Sequence, residues 1–333
     1  MREKLSAKGI WEVLKASFKG FGEDKLTKLS GSLAYYTVFS MGPLMIVIIF
    51  LGSIFLGQDA IQGKIFYELQ GMVGADTALQ VQEIIKNASL DGKTNTAAII
   101  GVITLLVGAT TVFAEIQDSI NSIWGIKAKP KKGWLKFLQN RFLSFSVIAS
   151  LGFILIVSLA LTSLVDLFSK RLQSHYPDVA VIIFYIINQV ITLALVSTIF
   201  AVVFKVLPDA KIKWRDVISG AVVTALLFMV GKFLISFYIN KTEVGSTYGA
   251  AGSLVVLLLW TYYSSLILYF GAEFTKAYAV RYGSAIHPND YAVTTKQVEV
   301  EMGKKTIQQK EDIDPASLVK KKPAGTGDVT SGQ

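Results

Sequence analysis

Cysteine is absent from the 333 residues, and histidine occurs only twice. These scarcities exclude disulfide frameworks, thiolate zinc and iron–sulfur ligation and cysteine nucleophiles, and they leave almost nothing for an imidazole metal site. Charge is also in short supply. Only 17% of the residues are charged against 52% hydrophobic, where a soluble chain keeps about a quarter charged to cover its wet surface. Mean hydropathy is +0.49, so the missing charge points to lipid as a second solvent. What charge remains is basic, +9 from 33 Lys and Arg and 24 Asp and Glu. That sign is shared by nucleic-acid binders, binders of anionic lipid and ordinary membrane proteins.

The apolar residues gather in six runs: Leu33 to Leu56, Ala97 to Phe113, Phe142 to Val165, Val179 to Phe204, Val217 to Ile239 and Leu254 to Tyr278. Each reaches or approaches the ~20 residues a helix needs to cross about 30 Å of hydrocarbon, the second by continuing through Ile116 and Ile120. Four runs carry no charge, the fifth holds Lys232, and the sixth holds Glu273 and Lys276. Lys and Arg number seven before the first run, three, six, two, four and one in the successive loops, and eight in the tail. Alternate segments therefore carry 25 against 6. The positive-inside rule predicts an all-α integral membrane protein with six transmembrane helices and cytoplasmic N- and C-termini. Loops 114–141 and 205–216 fall inside, and loops 57–96, 166–178 and 240–253 outside. The basic excess becomes a topology signal, and since no segment interleaves basic and aromatic residues on a compact soluble surface, nucleic acid is not an expected partner.

Three parts follow. Residues 1–32 form a cytoplasmic amphipathic arm in which Ile10, Trp11, Leu14, Phe18 and Phe21 recur at helical spacing, with Lys8, Lys15 and Lys19 elsewhere on the wheel. Two arrangements suit it: a helix on the inner leaflet among anionic headgroups, or a helix packed under the bundle. Residues 33–279 form the six-helix membrane domain, whose outer loop at 57–96 has the spacing of two short capping helices. The first run is too long and starts too late for a signal-peptide core, so it is expected to stay as a helix. From 280 to 333 the chain is expected to be a disordered cytoplasmic tail, rich in polar residues and glycine after about 286.

Several short motifs stand along these runs. The first span reads Leu33-Ala34-Tyr35-Tyr36-Thr37-Val38-Phe39-Ser40 before Pro43-Leu44, the second leads to Asn121-Ser122-Ile123-Trp124-Gly125, and the fourth ends in Leu207-Pro208-Asp209. The last follows Tyr248-Gly249 and Gly252 and runs through Trp260 to Gly271-Ala272-Glu273. Together these resemble the YihY/BrkB family of bacterial inner-membrane proteins over about residues 10 to 285. The resemblance implies a multi-pass cell-membrane protein with cytoplasmic termini, and suggested roles in envelope integrity or in export of lipid or lipopolysaccharide. A ribonuclease label once attached to the family is regarded as a misassignment, and the resemblance brings no catalytic residues with it.

Among single residues Lys232 is the sharpest, because an ammonium inside hydrocarbon costs about 2.5 to 3.5 kcal/mol on insertion scales. Counting along the helices places Asn188 and Gln189 at a similar depth, with Ser264 nearby. Two readings fit: a polar cavity open to the outside whose fixed cation takes an anionic headgroup, or a lysine that snorkels while the amides bond between helices. Glu273 lies too deep toward the cytoplasmic side to pair with Lys232. It shares that end with Glu115, Asp118, Arg141, Lys205, Arg215 and Lys276, which suits either an ion-pair network locking helix ends or a cytoplasmic gate. Pro43 predicts a kink in the first span, as a cavity lining or a packing bend. Membrane lipids, with anionic headgroups, are the expected partners. No cofactor and no metal are expected, and no catalytic constellation appears, since His175 and His287 fall on opposite sides and Glu115 with Asp118 make a weak cation signal.

Overall fold

The computed structural model describes residues 6–56, 62–63, 65–67, 69–70, 75–88, 95–129, 146–147, 150, 153–154, 157, 177–242, 248, 251–283 and 286–295. These contain the helices α1 (Ala7–Glu23), α2 (Leu26–Leu56), α3 (Ala75–Ala88), α4 (Asn95–Ile123), α5 (Pro177–Val206), α6 (Trp214–Thr242) and α7 (Gly252–Tyr282). Four short strands accompany them: β1 (Ile126–Ala128), β2 (Ala210–Lys211), β3 (His287–Pro288) and β4 (Ala292–Thr294). Most of the third apolar run, Phe142 to Val165, lies outside the described residues. Three of the described helices, over Ile186–Val206, Trp214–Ile239 and Gly252–Tyr282, are long and apolar enough to cross a membrane.

The helices overshoot the apolar runs that predict them. α2 starts at Leu26 and α4 runs on to Ile123, because Leu26, Ile120 and Ile123 are buried in a core with Phe113, Phe204 and Tyr269. α2 also continues to Leu56 on both sides of Pro43.

Helix pairing runs α2 with α4 and α7, and α6 with both α5 and α7. Between α6 and α7 the contact is a reciprocal fit of glycine and threonine. A Cβ on Gly220 would lie 1.8 Å from Thr275 Oγ1, and one on Gly271 would lie 2.0 Å from Thr224 Oγ1. Each threonine hydroxyl donates to the carbonyl four residues back, Thr224 to Gly220 and Thr275 to Gly271, both at 2.7 Å. The hydroxyls are thus satisfied within their own helices, and the small residues let the two backbones approach closely, the arrangement that favours helix association in lipid.

Pairing of the strands gathers one end of the bundle. β1 pairs antiparallel with β4, Ile126 opposite Thr294, and β2 pairs antiparallel with β3, Ala210 opposite Pro288. The segments after α4, between α5 and α6, and after α7 therefore meet, and α1 packs beside the same end of α7. These are the four segments that the Lys and Arg count assigns to one side. At the other end, α3 from the expected helical loop joins a separate apolar cluster of Met41, Val81, Ile235, Ile239, Val256, Leu257 and Trp260.

The tail begins later than the composition suggests. Arg281 and Tyr282 complete α7, and the chain to Thr295 is held by backbone bonds: Thr295 N–H donates to Gly125 O at 2.7 Å and Lys129 N–H to Tyr291 O at 2.8 Å. Gly125, at φ 64°, supplies the left-handed turn this needs, with Thr295 O only 3.0 Å from where a Cβ would stand. Residues 296–333 lie outside the described residues.

Gly271→Ala forces a methyl onto Thr224 and is expected to cost about 1–3 kcal/mol by overpacking. Thermal unfolding of the purified protein in detergent measures it, and an unchanged midpoint would mean that the α6–α7 seam is not close-packed.

Candidate functional site

Three of the quoted motifs converge where the strands gather. α5 ends at Val206, and Leu207 and Pro208 turn the chain so that Asp209 points into the core, 2% exposed. α4 brings Gln117 and Asn121, one turn apart on its buried face. Gln117 Nε2 donates to Asp209 Oδ1 at 3.2 Å, and Asn121 Nδ2 donates to Oδ2 at 3.0 Å. In return Asp209 N–H donates to Asn121 Oδ1 at 2.8 Å. Tyr291, beyond α7, adds its hydroxyl to Oδ1 at 3.0 Å, and Asn289 N–H donates to the Asp209 carbonyl at 2.9 Å. Three residues beyond Asn121, Trp124 Nε1 donates to the Ala272 carbonyl of α7 at 3.0 Å. A buried carboxylate that accepts from several donors is a fastener between elements, since each bond it forms would be costly to leave unmade.

A second cluster lies between α1 and α7. Glu273 is 3% exposed and sits against α1, where a Cβ on Gly20 would lie 2.2 Å from its Oε1. Lys276 Nζ bridges Glu273 at 3.1 Å and Asp24 at 3.0 Å, and Arg281 pairs with Glu12. Glu12, Glu273, Lys276 and Arg281 line a cleft of about 380 Å³ together with Lys19 and Glu23.

Of the residues expected at the cytoplasmic end, Glu273 and Lys276 are thus brought together. Lys205 turns elsewhere, donating to the Ile212 carbonyl with its ammonium 5.7 Å from the Trp214 ring centroid. Glu115 is half-buried, Asp118 and Arg215 are exposed, and Arg141 lies outside the described residues. Asp24, Glu12 and Arg281 complete the network. Sequence reasoning missed them because their partners are more than 250 positions away. Gln117 and Tyr291 were missed too, although Asn121 and Asp209 stood inside the quoted motifs. An acid directly after a long apolar run, and two amides four residues apart, were the available signals.

Lys232, Asn188 and Gln189 are exposed on α6 and α5, and Ser264 is half-buried on α7. Their levels agree. Lys232 and Asn188 each lie 18 residues, roughly 27 Å, along their helices from the α5–α6 turn. Gly231 packs on Tyr263 and Ile267, which sets Ser264 beside the same level. Among the described residues no group of three or more His, Asp or Glu is placed to hold a metal ion.

Long apolar helices fastened to one another at one end make this an α-helical membrane protein. A family profile described as Virulence factor BrkB matches residues 17–292, and the chain belongs to that family. Among similar proteins are three called UPF0761 membrane protein. The one from Ralstonia nicotianae is 26% identical over 75% of this chain and 55% of its own length. Those from Alteromonas mediterranea and Aeromonas salmonicida are 25% and 29% identical, over 76% and 77% of this chain and 83% and 84% of their own. The chain thus spans about half the length of the Ralstonia relative and most of the other two. No solved structure matches the chain.

Asp209→Ala strips the acceptor from several buried donors and is expected to cost about 3 kcal/mol or more, at ~1–3 kcal/mol for each group left unpaired. Trp124→Phe, which removes one donor from a carbonyl inside a helix, is expected to cost about 1 kcal/mol. Thermal melts should rank the two in that order, and Asp209→Ala should open residues 286–295 to protease; equal melts or an unchanged digest would contradict the fastener role.

Proposed function

We propose that the chain spans the bacterial inner membrane six times with both termini in the cytoplasm, and that it moves an anionic or amphiphilic envelope component across the bilayer. The observation that carries this is Lys232, an exposed ammonium on an apolar membrane-crossing helix, level with Asn188 on one neighbouring helix and Ser264 on the other. A fixed cation at that depth persists where it meets water, a partner or a headgroup. With polar groups beside it on two helices, it suits the phosphate or carboxylate of an amphiphile whose tails stay in lipid. The catalytic step is absent from this proposal: the residues supply binding and passage, not hydrolysis.

A second reading, a non-transporting scaffold in envelope integrity, draws support from the bonding at the Asp209 end, where fixed contacts tie four chain segments together. It expects Lys232 to be replaceable and the loop at 57–96, which carries α3, to be sensitive.

In proteoliposomes, Lys232→Met should lower translocation of a fluorescent anionic lipid about tenfold or more, the loss expected when a charge-assisted contact of ~1.5–3 kcal/mol disappears. Lys232→Arg should retain most of it, and equal rates for wild type and Lys232→Met at equal incorporation would remove the assignment. Orientation is read separately in the cysteine-free chain. A membrane-impermeant maleimide should label Lys93→Cys in intact spheroplasts and Lys213→Cys only after lysis; the reverse pattern would invert the topology.

A further inference from the structure

α1 has three faces, and only one of them is fully buried against the rest of the fold. Gly9, Val13, Ser17 and Gly20 are its buried residues, and at 100° per residue they fill an arc of about 80°. This face lies on α7, close enough that a Cβ on Gly9 would meet the Tyr282 hydroxyl and one on Gly20 the Glu273 carboxylate. The next arc, about 100° wide, holds Ile10, Phe21, Leu14, Phe18 and Trp11 in that order. Leu14 and Phe21 are half-buried against the neighbouring apolar clusters, while the other three are turned outward: Trp11 is 69% exposed, Phe18 67% and Ile10 42%. Beyond Trp11 come Lys15, Lys8 and Lys19, all exposed, and then Glu12, engaged by Arg281.

The sequence left two arrangements open, a helix on the leaflet or a helix under the bundle, as if one face had to serve either. The small residues set how α1 packs on α7, so the exposed part of the ring-bearing face, at Ile10, Trp11 and Phe18, is left over. We infer that this second face of α1 is a docking surface for anionic lipid, seating Trp11, Phe18 and Ile10 at the acyl boundary with Lys8 and Lys15 at the headgroups. Its position favours lipid as the occupant. Phe18 already touches Phe270 of α7, ring centroids 4.9 Å apart, so the apolar arc is continuous with the surface of a membrane-crossing helix. The order of sectors, apolar arc flanked by lysines, is that of a helix lying at a charged membrane surface. A soluble partner would have to compete with bilayer at the same level. Docked in this way, α1 becomes a bracket: one face grips the leaflet and the other holds the Glu273, Lys276 and Asp24 contacts. That the leaflet is the inner one rests on the proposed orientation; the docking itself does not.

The full-length protein, free of cysteine, takes single probes directly. Trp11→Cys, Phe18→Cys and, as a control on the polar side, Ala16→Cys would each carry the environment-sensitive dye NBD, in vesicles of phosphatidylcholine with or without phosphatidylglycerol. Dye at 11 and 18 should emit to the blue of dye at 16 and be shielded from aqueous quencher. The shift should grow with phosphatidylglycerol and shrink when Lys8 and Lys15 are both changed to Gln. Water-like emission at 11 and 18 in both vesicle types would overturn the inference. So would self-quenching that rises with protein-to-lipid ratio, which assigns the face to a second copy, and a blue shift indifferent to phosphatidylglycerol and to the lysines, which removes the anionic headgroup. Quencher added outside and then inside reports which leaflet is occupied, so a wrong orientation is told apart from a wrong docking surface.

Discussion

The arrangement of the bundle depends on one buried carboxylate. Asp209 gathers side chains from α4 and from beyond α7 at the turn between α5 and α6, so elements far apart in sequence share one acceptor. In a membrane-crossing chain the helices have little hydrophobic reason to choose one another, because lipid is as apolar as their side chains. Association then falls to close packing and to polar contacts that would be costly to leave unmade. The α6–α7 seam supplies the first through glycine and threonine, and Asp209 supplies the second. The paired strands complete the work at the same end, where the backbone leaves the helices and its donors and acceptors need partners.

Much of the fold was legible because the bilayer imposes a simple code. Length and apolarity predict the long helices found among the described residues, and the segments that the Lys and Arg count assigns to one side are those found together. What was not legible came from long-range pairing. Residues after 280 read as tail because their composition is polar, yet Tyr291 and Asn289 are anchored by Asp209, a partner about eighty positions earlier. α1 was read as having one interesting face because apolar rings stand out in a sequence. Glycine and serine at the same spacing do not, although Gly9, Ser17 and Gly20 decide where the helix lies. For Lys232 the depth is a count along its helix, to which the structure adds exposure and a shared level with Asn188 without enclosing it among the other polar residues.

The two ends of the bundle are held by different forces, and this bears on any motion the proposed function requires. At the Asp209 end, hydrogen bonds to a buried carboxylate, two strand pairs and the ion pairs of Lys276 and Arg281 act together. These are directional contacts, lost abruptly when elements separate. At the α3 end the contact among the described residues is chiefly apolar, Met41, Val81, Ile239 and Trp260 clustering together, with Ser253 donating to Gln80. Apolar surfaces in lipid can slide and part with less loss, since lipid tails replace the contacts. For the proposed transport, a bundle fastened at one end and held by apolar contact at the other would open by splaying about the fastened end. Lys232 lies seven residues from Ile239, away from the fastened end of its helix, so under the proposed transport an amphiphile entering between α5, α6 and α7 from that side would meet the ammonium first.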